Sequence, residues 1–541
     1  MTANDDDDSG IPSIKDILDS IDAIQNEAIN FLQRIIAINS TLEVGEGNVQ
    51  NVIYDHIIHV LGGNDSFDVI KQPVRLEDIC NVRGYSPVDW MYDDSQKFNI
   101  VARSRQTNSN NTNTIDNSST SNDDDSVFLC GHVDVVPASY TDGWTRDPYD
   151  AYIKDGRMYG RGSGDMKAGV VAMIYALVAI HRLGYMPGKG GVTICTVVEE
   201  ECTGNGALAS IIDTSSGSSG DDGCFCCPSN RRMSIVPLDI MNDDDDNNNN
   251  DIDGAADAAA TATKKGKSSG RTAVIIPEPF PWIVTAQMGV LWFRATVTGK
   301  PCHVLSTSSG SNAIEGAYAL YDSLRTIEDR YNEPRGAAHP AFMGIDHPVN
   351  FNLGKIMGGN WASSVPSNCT FEVRVGFFPG VQIDTVKQDV ETTLNGKARE
   401  LGLELEITYQ GFHADGAVLL PEYVNGMAQN VVDSDDGSAS SSSLLQREFV
   451  ETLRKCNGHA TKESSSSSPL KDLQLKPVTC TTDARFYSSL FQDPSKVVVT
   501  CYGPEATNIH GVDESVCLES FRDVTATIAL FIRDWCGLVK V

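Results

Sequence analysis

Two hydropathy textures alternate along the chain. SVFLC (Ser126–Cys130) and GVTICTVV (Gly191–Val198) are short apolar runs without polar alternation, the pattern of strands covered on both faces. Between them, MKAGVVAMIYALVAIHRLGY (Met166–Tyr185) has helix length and an apolar stripe, stopped by Gly184 and Pro187. Strand, helix, strand in that order predicts a parallel α/β sheet. From Thr285 the texture changes. VLWFRATVTG, CTFEVRVGFF and LELEITYQG alternate apolar with polar positions, and the helix-like SNAIEGAYALYDSLRTIEDRY and TVKQDVETTLNGKARELG lie between them, which predicts a small α+β layer. After Gly411 the first texture returns and closes on a helix-like LESFRDVTATIALFIRDW.

A chain of 541 residues exceeds what one hydrophobic core usually serves. The expected organisation is a catalytic domain in two parts, 11–285 and 412–541, with a smaller domain, 286–411, inserted between them. Four stretches are too polar to offset the entropy of ordering them: about 105–125, 214–270, 434–443 and 462–468. They read as disordered or low-complexity insertions at loop tips, where extra length costs little.

Composition narrows the class. Hydrophobic residues make up 40% of the chain, as in a soluble globular protein, and no apolar run reaches the length of a bilayer span. The start, MTANDDDDSG, inverts the plan of a signal peptide, so a cytoplasmic location with no membrane partner is expected. A net charge of −31 disfavours nucleic acid as a partner. Runs at Asp5–Asp8, Asp123–Asp125 and within Asp243–Asp253 supply only part of it. Fourteen cysteines without a secretory signal read as reduced thiols. The trio Cys224, Cys226 and Cys227 lacks the second pair that a zinc knuckle needs.

The chemistry concentrates where apolar strands end. VVEEECTGNGALA (Val197–Ala209) sets three glutamates side by side, a solvated turn or a site that needs a cation, since adjacent acids disfavour each other's ionisation. Metal-assisted hydrolysis needs an anionic ligand and a base for the proton of a bound water, and adjacent glutamates can fill both roles. In LCGHVDVVP, His132 and Asp134 follow a strand at i and i+2, either a structural pair or a ligand with its orienting carboxylate. In GRGSGDMKAG, Asp165 precedes the long helix; a helix cap is the expected role on this segment alone, with a bridging carboxylate as the alternative. A phosphate loop is excluded there because Ala168 follows Lys167. In YGPEATNIHGVDESV, His510 sits in a loop, where a lone histidine is usually solvated.

Taken together, GHVDVVP, GRGSGDMKAG, EEECTGNGALA, IIPEP, GKPCHV and YGPEATNIHGVDESV, in this order, resemble the M20 family of dinuclear zinc amidohydrolases and peptidases. That family includes acetylornithine deacetylase, succinyl-diaminopimelate desuccinylase, aminoacylase and glutamate carboxypeptidases. The resemblance covers nearly the whole chain outside the insertions, and its flavour is nearest to the acetylornithine deacetylase-like branch, an enzyme of arginine biosynthesis. It implies a zinc-peptidase-like α/β catalytic domain, with a mostly parallel central sheet and helices on both faces, and an inserted ferredoxin-like α+β domain that serves as lid and dimerisation unit.

The resemblance also implies roles. His132, Asp165 and Glu278 would hold one zinc ion, and Asp165, Glu201 and His510 a second, with cobalt as a possible substitute. Asp134 would orient His132. Glu200 would be the general base as a metal-bound water attacks an amide carbonyl, leaving Glu199 as an extra acid. On the inserted domain, His303 would reach the active site of a partner subunit, and Asn312, Arg374 and Arg485 would contact substrate. Arg374 suits a substrate carboxylate through its bidentate fork, while Arg485 has the simpler alternative of pairing with Asp483. The chain departs from the pattern at WASSVPSN, where Ser363 stands near a position often held by Asn, and the spacing from Pro366 to Arg374 is shorter than in some members. The leading expectation is removal of an N-acyl group from an amino acid such as N-acetylornithine. A metallo-exopeptidase or dipeptidase using the same centre is the near alternative, and a catalytically silent dimeric scaffold the distant one.

Overall fold

The computed structural model describes residues 11–62, 66–105, 124–212, 270–333, 339–426, 440–461, 470, 472–489 and 495–541. Most of the four polar stretches, including Cys224, Cys226 and Cys227, lies outside the described residues, as do Asp5–Asp8 and Asp243–Asp253. One edge of the 434–443 reading needs correction. Ser441 opens a helix, Ser441–Ala460, and Ser440 caps it by accepting the Ser443 N–H through its side chain. A serine run is polar, but one serine at a helix start satisfies an otherwise orphaned donor.

The main sheet has six strands, in the order Phe67–Pro73, Phe98–Ser104, Val192–Val197, Ser126–His132, Thr272–Ile276 and Val497–Cys501. The last four run parallel, Phe98–Ser104 runs against them, and Phe67–Pro73 pairs antiparallel with it. Every residue of Ser126–His132 and of Val192–Val197 is buried, which accounts for their unbroken apolar runs. Ile14–Ile36 packs an apolar stripe from Ile17 to Ile36 inward, started by a capping box between Ser13 and Asp16.

The helix Ala168–Arg182 is buried from Ala168 through Ile180. With the turn before it, Ser163–Arg182 is long and apolar enough to cross a bilayer, contrary to the expectation that no run is, yet 94% of its most apolar window is buried inside the protein. It contacts Ile14–Ile36 and the C-terminal helix Leu518–Cys536, so its apolar girth is a core property.

A second sheet orders Phe351–Gly358, Asn368–Phe377, Gly289–Thr298 and Glu404–Thr408, all antiparallel, with His413–Ala414 also pairing with Gly289–Thr298. The helices Ala313–Ser323, Arg325–Asn332 and Ile383–Leu401 accompany it. Its hydrophobic cluster, which includes Phe293, Leu320, Phe371 and Leu394, is separate from the main one. A four-stranded antiparallel sheet, Ala506–Thr507, Ser515–Cys517, Arg157–Tyr159 and Tyr152–Lys154, holds the hairpin that carries His510.

Candidate metal centre

The four parallel strands end on one edge of the main sheet, the edge where ligands collect in open α/β folds. His132 is the last residue of its strand. Glu199–Glu201 follow Val192–Val197, and Glu278 follows Thr272–Ile276. Asp165 comes from the turn before the long helix, and His510 from the hairpin between Ala506–Thr507 and Ser515–Cys517.

Asp165 stands between the two histidines. Its Oδ1 lies 3.1 Å from His132 Nε2 and its Oδ2 3.3 Å from His510 Nε2. Each histidine faces a second carboxylate: Glu278 Oε2 is 3.9 Å from His132 Nε2, and Glu201 Oε2 is 3.0 Å from His510 Nε2. One ligand atom each from His132, Glu200 and Glu278 lies within 4.8 Å of the others, as does one each from His132, Asp165 and Glu201. Asp165 does not cap the helix. The residue preceding the helix is Lys167, two positions further on.

Asp134 ties the pieces together. His132 Nδ1 lies 3.0 Å from the Asp134 backbone oxygen and 3.5 Å from its Oδ1. The same carboxylate accepts the backbone N–H groups of Glu200 and Glu201 at 3.1 and 3.0 Å. One buried acid therefore orients a ring and fixes the loop beside it.

The electrostatics are those of an acid-rich pocket. Burial pushes Glu200 well above the usual carboxylate range, with Asp483 adding repulsion, and burial likewise raises Glu278 and Glu201. Burial opposes ionisation of Asp165 too, but hydrogen bonds from His132 and His510 outweigh it and hold its carboxyl low. Burial would lower His132, yet its bonds to Asp134 and Asp165 raise it well above normal. Glu201 pulls His510 up to about 11. Such a cluster of histidines and hard oxygen donors, with too little positive charge of its own, fits divalent cations.

A sequence model of peptidase family M20/M25/M40 matches residues 128–534. The chain belongs to that family. It is 23% identical over 344 residues to a probable succinyl-diaminopimelate desuccinylase of Staphylococcus aureus, a match covering 59% of this chain and 72% of that one. A 73-residue stretch is 50% identical to the succinyl-diaminopimelate desuccinylase of Wolinella succinogenes, 14% of this chain and 19% of that one. The fold matches the dipeptidase Dug1p of Saccharomyces cerevisiae at 13% identity and a TM-score of 0.62, covering 97% of this chain and 98% of that one. Human carnosine dipeptidase 1 matches at 14% and 0.59, covering 97% and 100%. This M20 protein is a metal-dependent hydrolase of amide or peptide bonds.

The anticipated substrate residues have varied surroundings in the M20 fold. Arg374, on Asn368–Phe377, donates to the backbone oxygens of Asn350 at 3.3 Å and Thr479 at 3.4 Å, and among the described residues no carboxylate pairs with it. His303 is exposed, and its Nδ1 accepts the Leu305 N–H at 3.1 Å. Asn312 caps the helix Ala313–Ser323: its oxygen accepts from Ile314 and Glu315, and its amide donates to the Glu315 side chain. Arg485 is buried and donates to the backbone oxygens of Thr482 and Thr203, both at 2.9 Å. It braces the loop after Glu201.

Several contributors carry no signal that the sequence reading used. Glu514 accepts the N–H groups of Gly164 and Asp165 at 2.9 and 3.1 Å and pairs with buried Arg161. Its position four residues after His510 was the available clue. Glu199 turns away from the histidines, into a pocket with Trp90, Tyr92 and Lys97. Asp483 is buried near Glu200, and burial raises it to about 7.

Proposed function

We propose that this M20 enzyme is a dinuclear zinc amidohydrolase that removes the acyl group from an N-acyl amino acid. The observation that carries this is Asp165, whose two oxygens face His132 and His510. His132, Asp165 and Glu278 would hold one ion, and Asp165, Glu201 and His510 the other. When bound, the pair supplies Lewis acidity toward the amide carbonyl and acidifies a water; cobalt would serve in place of zinc.

The remaining steps fall to the chain. The contact of His510 with Glu201 supports Glu201 as the ligand and leaves the adjacent Glu200 as the general base, which takes a proton and returns it to the leaving amine. Burial keeps the Glu200 carboxyl proton-hungry, as a base working near neutrality requires. Asp134 holds His132 and both loop N–H groups still. Arg374, with no carboxylate partner among the described residues, would take the free carboxylate of the substrate.

We assign 286–411 as a lid and dimerisation domain inserted in a catalytic domain made of 11–285 and 412–541. Phe351–Gly358 is an edge strand of the second sheet and carries exposed Ile356 and Met357, with exposed Leu305 and Trp361 elsewhere on this domain. Exposed apolar surface on an open strand edge suits a homodimer contact, and exposed His303 would then complete the partner's site. Asn312 and Arg485 act as brace residues in this scheme rather than as substrate contacts. The described cysteines are free thiols, in keeping with a cytoplasmic setting.

The sequence relatives are desuccinylases, which favours an N-acyl amino acid. The two fold neighbours named above are dipeptidases, which keeps a dipeptide as the second reading. Activity of the zinc-loaded enzyme on N-acetylornithine, N-succinyl-diaminopimelate and a panel of dipeptides decides between them. Turnover of dipeptides alone rejects the deacylase reading, and turnover of the acyl amino acids alone rejects the dipeptidase one.

A further inference from the structure

Three glutamates stand in a row, and the proposed centre uses two. The third, Glu199, is almost fully buried and so is Lys97, the cation facing it. Lys97 Nζ lies 3.0 Å from Glu199 Oε1 and 2.8 Å from Glu46 Oε2. Glu46, wholly buried just before the helix Gly47–Val60, has its carboxyl raised by burial to about 8. Glu199 also accepts from Trp90 Nε1 at 2.9 Å, from Thr203 Oγ1 at 3.0 Å and from the Tyr92 hydroxyl. Four donors thus converge on one carboxylate.

The backbone shows what this anchoring achieves. Glu199 adopts φ +65°, a left-handed conformation that a non-glycine residue keeps only where its surroundings hold it. From that turn its carbonyl accepts the N–H groups of Thr203 and Gly204, at 3.0 and 2.7 Å. The next two N–H groups, of Glu200 and Glu201, run to Asp134. With the side chain of Glu199 drawn inward, the loop presents Glu200 and Glu201 toward the histidines. Lys97 also acts on Asp134, favouring its ionised form through space. It is a buried cation standing behind the two acids that fix this loop.

We propose that Lys97 is a positioning residue for the metal loop: paired with Glu199, it holds the turn that aims Glu200 and Glu201 at the centre. The proposal rests on the reading of that centre given above. It makes a charge on a distant strand start part of the hydrolytic machinery, although Lys97 itself touches neither metal nor substrate.

The test uses the full chain and zinc. Zinc affinity is measured by competition with a chelator, and kcat and KM at saturating zinc, for wild type, K97M, K97R, E199Q and the double variant K97M/E199Q. Outer-shell partners of metal ligands typically contribute about 10- to 100-fold in affinity or activity. K97M is expected to lose that much in zinc affinity and in kcat, with KM changed less than threefold. K97R should recover most of the loss, because it keeps the charge. The double variant should do better than K97M alone, because it no longer strands Glu199 without a cation. If K97M does not fold, E199Q carries the test, with an expected tenfold loss of zinc affinity. Wild-type affinity and kcat in K97M, or K97R as impaired as K97M, would overturn the role of Lys97. A wild-type chain that binds no zinc would instead sink the reading of the centre itself.

Discussion

The carboxylate of Glu514 accepts the backbone N–H of Asp165 at 3.1 Å, so an acid stands directly behind the acid that both histidines face. Its other oxygen pairs with Arg161, itself almost fully buried. Glu514 → Ala removes the carboxylate partner of that arginine and the acceptor of two backbone N–H groups together. Breaking a buried pair from one side costs about 3–5 kcal/mol, and the Asp165 turn loses its support. The variant should show a lower urea midpoint and weaker zinc binding, whereas Glu514 → Gln, which still offers an oxygen to the N–H groups, should lose less of both.

Glu200 → Gln keeps the size of the side chain and the loop N–H bonds to Asp134, but it cannot take a proton. Positioned acid–base groups contribute about 10²- to 10⁴-fold. kcat should fall by that range while zinc content and KM stay near wild type. A variant that loses zinc along with activity would mark Glu200 as a ligand and Glu201 as the base.

The general outline of the proposed centre was legible because its candidate ligands sit where buried strands stop, and a buried strand is an unbroken apolar run. His132, Glu201 and Glu278 all follow such runs. Asp165 was harder to read, since an aspartate before a helix is most often its cap, and only the three-dimensional placement of His132 and His510 distinguishes the two roles. The inward turn of Glu199 was not legible, because the cation that draws it in, Lys97, precedes Phe98–Ser104, a strand far earlier in the chain that only the sheet pairing brings beside Val192–Val197. Asn312 and Arg485 show the opposite limit. Their side-chain chemistry suits a substrate, yet both engage backbone groups here, for Arg485 including the Thr203 carbonyl far away in the chain, and such partners leave little trace in sequence.

Arg374 → Ala tests the substrate contact. Hydrogen bonds to a charged group contribute about 1.5–3 kcal/mol, roughly 10- to 100-fold in affinity. KM for a substrate with a free carboxylate should rise by that factor with a smaller change in kcat. A carboxamide analogue, already deprived of the contact, should be nearly indifferent to the substitution when both are assayed side by side.

His56 gives a pH signature away from the centre. It stacks on Phe31 at a 3.5 Å centroid distance, and its Nε2 is 3.1 Å from the Tyr175 hydroxyl. Burial, reinforced by nearby Arg34 and His59, lowers its imidazole to about 4; His413 is lowered to about 4 as well, chiefly by burial. Between about 6.5 and about 4 the unfolded chain therefore binds protons at these positions that the folded chain does not. Stability is retained above that window and is lost as pH falls through it. The urea midpoint should drop over this range, and His56 → Phe, which keeps the stack but cannot titrate, should show a shallower drop.

Removal of metal should act on the fold as well as on catalysis. Without a cation, the buried carboxylates of Glu200, Glu201 and Glu278 repel one another and are kept ionised only at a cost, which is why burial raises all three. A ligand that binds only the folded state stabilises it by RT ln(1 + [L]/Kd), about 2.7 kcal/mol at a hundred times Kd. Melting measured across a series of buffered free-zinc concentrations should therefore rise with the logarithm of zinc. His510 → Ala should flatten that dependence without abolishing it, because His132, Asp165 and Glu278 would still hold an ion. A melting temperature indifferent to zinc and to chelator would show that these side chains gather for some purpose other than metal.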